Sequence, residues 1–197
     1  MKKKNHLFAG FALAVVAVVA VFFTAGYYKM PMPSGSQSEE MVHTLNPKFV
    51  ELSTNGNSAC FGQGVVYSMD DSTHLTGSCC DKMGQHRYEE QVEGLKKYSD
   101  IKEIPSDPYD IPVDLAKKLL DYDASIALSS EQQQTYAKAA ELSDEGGPCC
   151  CKCWRWDVYE GLAKHLIVDY GFTAEKVAEV WNLSDGCGGE EHAAIHS

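Results

Sequence analysis

The sequence is organised around Pro148–Trp156 (PCCCKCWRW), which holds four of the eight cysteines within five residues. An apolar pattern typical of a helix follows it to about Tyr170, with Val158, Leu162 and Leu166 on one face. The cysteines are therefore expected at a helix N-terminus, where unpaired N–H groups and the helix dipole favour negative charge. Because a thiolate both binds soft metals and attacks disulfides, the stretch indicates one of these two chemistries.

The composition is that of an acidic domain of moderate size. The chain has 197 residues and a formal net charge of −11. Nucleic-acid binding is excluded as a function because it needs a basic surface. Once an N-terminal segment is set aside, roughly 150 residues remain, which is enough for one domain with a substantial core.

The N-terminus has the pattern of an export signal or a short membrane anchor. Three lysines precede an uninterrupted run of apolar or small residues from Leu7 to Phe23. The lysines place the N-terminus inside, so the rest of the chain is predicted to be extracytoplasmic, either membrane-anchored through this segment or secreted. The expected organisation is a signal peptide or anchor (1–26), a flexible tether (27–44), a cysteine-rich helical domain (45–189) and a disordered tail (190–197).

The fold class predicted for the domain is all-α, with about five helices after an irregular, turn-rich N-terminal part. In that part only Gly64–Tyr67 has the pattern of an extended segment. Pro112 is expected at the first position of one helix, and Ser129 or Ser130 as the cap of the next. Apolar spacing predicts the five helices over about 82–98, 112–122, 131–143, 154–170 and 174–183.

The candidate metal ligands are cysteines. Cys79 and Cys80 precede a predicted helix, and Cys187 lies among glycines, which let a backbone approach a metal closely. Thiolate-rich sites select Cu(I), Zn or iron–sulfur clusters, and the usual iron–sulfur spacings are absent, so Cu(I) and Zn are favoured. Cys60 has no assigned role. The predicted ligands are Cys149, Cys150, Cys151 and Cys153, completed by Cys79, Cys80 and Cys187.

Two other interpretations of the cysteines stay open. Cys150 and Cys153 form a C-x-x-C pair of the kind used in thiol–disulfide exchange, and Lys152 would lower the thiolate pKa, although the accompanying βαβ pattern is missing. Structural disulfides also fit an exported domain, but adjacent cysteines make a poor framework for them.

Other catalysis has little support in the sequence. His165 lies on the order of 18 Å from Cys153 along the predicted helix, so the two cannot act as a nucleophile–base pair. We expect His165 to be partly buried and Arg155 to be solvated. Trp154 and Trp181 fall in apolar stripes and are expected in the core.

The stretch Pro148–Cys153 matches the pattern P-C-x-C-x-C and resembles the PCYCGC-motif (CYCXC) family of exported or lipid-anchored bacterial proteins. The likeness covers about 129–180 and implies that Cys149, Cys151 and Cys153 are the motif cysteines. Cys150 stands where the family has a tyrosine and Lys152 where it has its second glycine, and the lipid-attachment cysteine is missing. The family brings no established biochemical function to this chain.

Overall fold

The computed structural model describes residues 47–188. The expected signal or anchor, the tether and the C-terminal tail all lie outside these residues. Within 47–188, no helix has the length and apolar character needed to cross a bilayer.

The described part of the chain is mostly helical. The five helices predicted from the sequence are confirmed, with ends that differ by a few residues from the expected ones. The elements in chain order are helix α1 (47–55), helix α2 (Gln63–Ser68), strand β1 (His74–Thr76), helix α3 (Gln85–Leu95) with a 3₁₀ turn (Lys96–Tyr98), strand β2 (Asp110–Pro112), and helices α4 (Val113–Ser125), α5 (Ser130–Leu142), α6 (Trp154–Asp169) and α7 (Ala174–Ser184).

The N-terminal part is more regular than expected. The segment Gly64–Tyr67, expected to be extended, lies inside α2. Its alternation of exposed Val65, buried Val66 and exposed Tyr67 suits either a strand or one helical turn. The turn is favoured by local hydrogen bonds, such as the one from the Met69 N–H to the Val66 carbonyl.

A two-stranded antiparallel ladder, which the sequence did not predict, joins distant parts of the chain. Leu75 of β1 pairs with Ile111 of β2, and both side chains are fully buried. Pro112 ends β2 and is the N-cap residue of α4, one position before the expected place. Ser129 caps α5 as expected, in a capping box with Gln132.

Helix α6 lies at the centre of the core. Nine of its sixteen residues are buried, and it packs most extensively against α4. Trp154 and Trp181 are buried as expected, and the Trp181 indole donates to the Tyr159 carbonyl over 3.1 Å. A helix buried on nearly all sides holds its N-terminus in a fixed place, and that end carries the cysteine-rich stretch.

Gly161 allows α4 and α6 to approach each other closely. A Cβ at this position would overlap the Leu119 carbonyl oxygen and lie 2.8 Å from the Asp123 nitrogen. We expect Gly161→Ala to lower the free energy of unfolding by about 3 kcal/mol, because backbone atoms cannot move aside as a side chain does. Urea denaturation measures this. The control is Gly64→Ala, also helical but with no atom within 4 Å, which should be neutral or slightly stabilising. Equal stability of the two variants would contradict the close approach.

Candidate metal centre

All eight cysteines lie within residues 47–188, where no two of them form a disulfide. Their sulfur atoms form one cluster, which we divide by exposure. The outer cysteines are the exposed Cys60, Cys80 and Cys150 with the half-buried Cys151; the inner cysteines are the buried Cys149, Cys153 and Cys187 with the half-buried Cys79. The cluster therefore extends from the protein surface into the core.

The outer cysteines are in mutual contact. Cys60 Sγ lies 3.2 Å from Cys80 Sγ and 3.4 Å from Cys151 Sγ. Cys80 Sγ lies 3.8 Å from Cys150 Sγ and 3.9 Å from Cys151 Sγ. These four thiols come from three separate segments of the chain, so tertiary folding brings them together.

The inner cysteines continue the cluster into the core. Cys187 Sγ lies 3.5 Å from Cys149 Sγ and 2.6 Å from Cys150 Sγ, which links the inner and outer groups. Cys79, Cys149 and Cys153 have their sulfur atoms within 4.8 Å of one another. The seven cysteines predicted as ligands are thus all gathered in one place.

Cys60 is the eighth member of the cluster and is not among the seven cysteines predicted as ligands. The loop that carries it is attached to the start of α6, where the Trp154 N–H donates to the Phe61 carbonyl over 2.8 Å. The Trp154 indole donates to the Ala59 carbonyl over 3.1 Å, and its ring stacks on Phe61. The signal available in the sequence was that Cys60 is the one cysteine left over once the others are assigned.

Cys153 is the N-cap residue of α6, so the motif cysteines lie at a helix N-terminus as predicted. The same prediction for Cys79 and Cys80 is wrong. Helix α3 begins at Gln85, with Gly84 as its N-cap residue, and the two cysteines lie in a preceding turn. That turn is held by the Ser78 hydroxyl, which donates to the Asp81 carbonyl.

Backbone hydrogen bonds join the Cys79–Cys80 turn to the segment that carries Cys187. The Cys79 N–H donates to the Gly186 carbonyl over 3.1 Å, and the Asp81 N–H donates to the Cys187 carbonyl over 2.8 Å. The backbone of Gly188 has a φ of +102°, which favours glycine. A Cβ on Gly188 would overlap the Asp81 carbonyl oxygen, so this glycine allows the two segments to meet. That the glycines beside Cys187 also let the backbone approach a metal stays a prediction.

Arg155 is fully buried, contrary to the expectation that it is solvated. Its Nη1 donates to the Pro108 carbonyl over 2.6 Å, whereas its Nε has no hydrogen-bond partner among the described residues. None of the ion pairs formed within 47–188 includes it. Burial acts to lower the pKa of Arg155, but charge interactions with Tyr159, Cys79 and Cys149 act in the opposite direction, and the pKa is raised overall. Since a buried charge needs compensation, the cluster is the natural source of negative charge.

The thiols of the cluster differ in acidity. Hydrogen bonds from the thiols of Cys149, Cys153 and Cys187 hold the pKa of Cys79 well below its usual range, and the nearby Arg155 charge acts in the same direction. The corresponding bonds of Cys149 to Cys153, Cys187 and Cys79 raise the pKa of Cys149. In the metal-free cluster these opposite directions favour a thiolate at Cys79 over one at Cys149.

The two groups should differ in reactivity. In the reduced, metal-free protein we expect iodoacetamide to alkylate the exposed Cys60 and Cys150 at least about tenfold faster than the buried Cys149, Cys153 and Cys187, which need local opening. Peptide mapping after timed quenching gives the rate at each cysteine. The same reaction in denaturant is the control, where the rates should converge. Uniform rates in the native protein would contradict the division into outer and inner cysteines.

Three of the sulfur–sulfur distances, 3.7 Å for Cys79–Cys80, 3.8 Å for Cys80–Cys150 and 3.9 Å for Cys80–Cys151, match those of thiolates that share a metal ion, and the other contacts are shorter. With metal–sulfur bonds of about 2.3 Å, two thiolates on one ion are about 3.8 Å apart in a tetrahedral site and about 4 Å apart in a trigonal one. Most contacts in the cluster are 3.2–3.9 Å. An iron–sulfur cluster holds its cysteines farther apart, because iron and sulfide fill the space between them. The geometry therefore favours ions bound directly by the thiolates.

Comparisons of the chain with models of protein families, with curated proteins and with solved structures give no match. The relation to the PCYCGC-motif family stays a prediction from Pro148–Cys153.

Proposed function

We propose that the chain is an extracytoplasmic protein that binds soft metal ions, Cu(I) or Zn(II), through clustered thiolates, and that it serves as a carrier, sensor or sequestering protein. The observation that carries this proposal is the convergence of all eight thiols from four segments without a disulfide. Burying thiols together has little value for packing alone, whereas soft ions need several thiolates at one point. The extracytoplasmic location rests on the pattern of residues 1–26 alone.

Three further features support this function. The pKa of Cys79 is lowered, so a thiolate is ready for binding. The buried Arg155 offsets negative charge beside it. The exposed Cys60 and Cys80 give an ion access from solvent without unfolding. A closed structural site would have no need of such exposed thiols.

The test is elemental analysis combined with thiol titration of the full chain, purified anaerobically with reductant. We expect at least one soft ion per chain, thiols protected while it is bound, and eight reactive thiols after chelation and denaturation. A variant with serine at Cys79, Cys149 and Cys187 is expected to bind markedly less metal. Its matched control is Met83→Leu, which removes a buried sulfur atom outside the cluster. Absence of soft metal from the wild type, even after loading, would refute the proposal.

Thiol–disulfide exchange is the second candidate. The contact that favours it is the 2.6 Å separation of Cys150 Sγ from Cys187 Sγ, with Cys150 exposed to a partner thiol. This pair differs from the Cys150–Cys153 pair expected from the C-x-x-C motif. Redox exchange predicts no bound metal and one reversible disulfide between Cys150 and Cys187, which peptide mapping after equilibration with glutathione would reveal.

A further inference from the structure

The thiols are arranged in overlapping groups of three. Within each group the sulfur atoms lie within 4.8 Å of one another, close enough to bind one ion. Five of these groups are Cys60–Cys79–Cys80, Cys60–Cys151–Cys153, Cys79–Cys149–Cys153, Cys80–Cys150–Cys187 and Cys149–Cys150–Cys151. Every cysteine except Cys187 belongs to two of the five.

This overlap is the pattern of bridging thiolates. A thiolate sulfur has several lone pairs and binds two ions when both lie beside it. Three thiolates satisfy a monovalent copper ion, whereas zinc takes four ligands in a tetrahedron. Separate tetrahedral sites would divide eight thiols into two groups of four that share no member. The shared membership found here favours three-coordinate ions joined through common sulfur atoms.

The charge around the cluster fits an anionic centre. Thiolates that bridge monovalent ions outnumber the ions they bind, so the assembly keeps a net negative charge. Arg155 is fully buried with no carboxylate partner within 47–188, and its guanidinium packs closely against Gly186, the chain neighbour of Cys187. A positive charge in that position compensates an anionic assembly and would be costly beside a neutral one.

We propose that the eight thiols form a single polynuclear Cu(I)–thiolate centre that binds about four or five copper ions, each held by three cysteines. Eight thiolates that each bridge two ions offer enough bonds for about five three-coordinate ions. This inference rests on the proposed soft-metal function. It further specifies that the ion is Cu(I), that about four or five ions bind per chain, and that the thiolates bridge them. The inner cysteines anchor the centre to the core, and the outer cysteines complete it at the surface.

The test is anaerobic titration of the reduced full chain with Cu(I), delivered from a colourless Cu(I) complex and followed by native mass spectrometry and copper X-ray absorption. We expect loading to about four or five ions per chain, three sulfur neighbours for each copper, and copper–copper scattering from bridged ions. Titration with Zn(II) is expected to stop at about two ions per chain.

Two variants sharpen the test. Cys60→Ser removes a sulfur shared by two groups and should reduce the copper stoichiometry by at least one ion, whereas Met83→Leu should leave it unchanged. Circular dichroism checks that each variant is folded. One or two copper ions per chain without copper–copper scattering would overturn the polynuclear centre and leave the soft-metal function standing. Failure to bind Cu(I) or Zn(II) at all would overturn both.

Discussion

Removing the proposed Cu(I) ions from the thiol cluster should lower the midpoint temperature of unfolding by about 10 °C. The cysteines lie on segments outside helices and strands, and these segments meet at the cluster. An ion that binds only the folded chain stabilises it by about 4 kcal/mol at a free concentration a thousandfold above its dissociation constant. In a domain of this size that corresponds to roughly 10 °C.

Calorimetry of the Cu(I)-loaded protein with and without a strong Cu(I) chelator measures this change. Hydrogen exchange should show the greatest loss of protection in residues 77–84 and 185–188, which are joined by backbone hydrogen bonds beside the cluster. The variant with serine at Cys79, Cys149 and Cys187 is the control, and its midpoint should fall markedly less on addition of chelator because it binds less metal. A wild-type midpoint equally indifferent to chelator would contradict a metal-dependent fold.

The helices were predictable from the sequence because each has a long apolar stripe or a clear cap. Ser129 and Gln132 form the capping box that marks the start of α5. The two strands were not predictable, because each has only three residues and its pairing depends on a contact about 36 residues away in sequence. Whether such short strands form depends on tertiary packing, and local sequence patterns carry no information about that packing.

The candidate site was only partly predictable. Clustering of Cys149 to Cys153 at the start of α6 followed from local sequence alone. Cys60 was missed because its place depends on the hydrogen bonds between its loop and Trp154. The burial of Arg155 was missed because a charged residue is ordinarily solvated. Here α6 is buried on nearly all sides at its start, so no solvent-facing position was left for this side chain.

Among single substitutions of charged residues beside the cluster, replacing Arg155 should cause the largest loss of stability and of Cu(I) affinity. Arg155→Met leaves the Pro108 carbonyl without its donor and removes the buried positive charge beside the inner cysteines. We expect a loss of about 3–5 kcal/mol in the free energy of unfolding of the loaded protein and at least about tenfold weaker Cu(I) binding. Arg155→Lys keeps the charge and loses the planar set of donors, so its metal affinity should fall less.

Arg87→Met is the matched control for this charge. Arg87 also donates to a backbone carbonyl, that of Asn182 over 2.7 Å, but it pairs with Glu90 on a partly exposed face. We expect Arg87→Met to lower the free energy of unfolding by about 1 kcal/mol and to leave the Cu(I) affinity unchanged. Affinities are measured by competition with a chromophoric Cu(I) chelator, and stabilities by urea denaturation.

A spectroscopic measurement separates the electrostatic role of Arg155 from its structural role. The Arg155 charge helps to lower the pKa of Cys79, after the larger contribution of the three thiols that donate to it. In metal-free Arg155→Met, the ultraviolet absorbance of the thiolate should therefore appear at higher pH than in the wild type, while Arg155→Lys stays closer to the wild type. A purely structural arginine would weaken the fold in both variants without moving this titration. That outcome, with unchanged Cu(I) affinity, would show that the cluster does not depend on the buried charge.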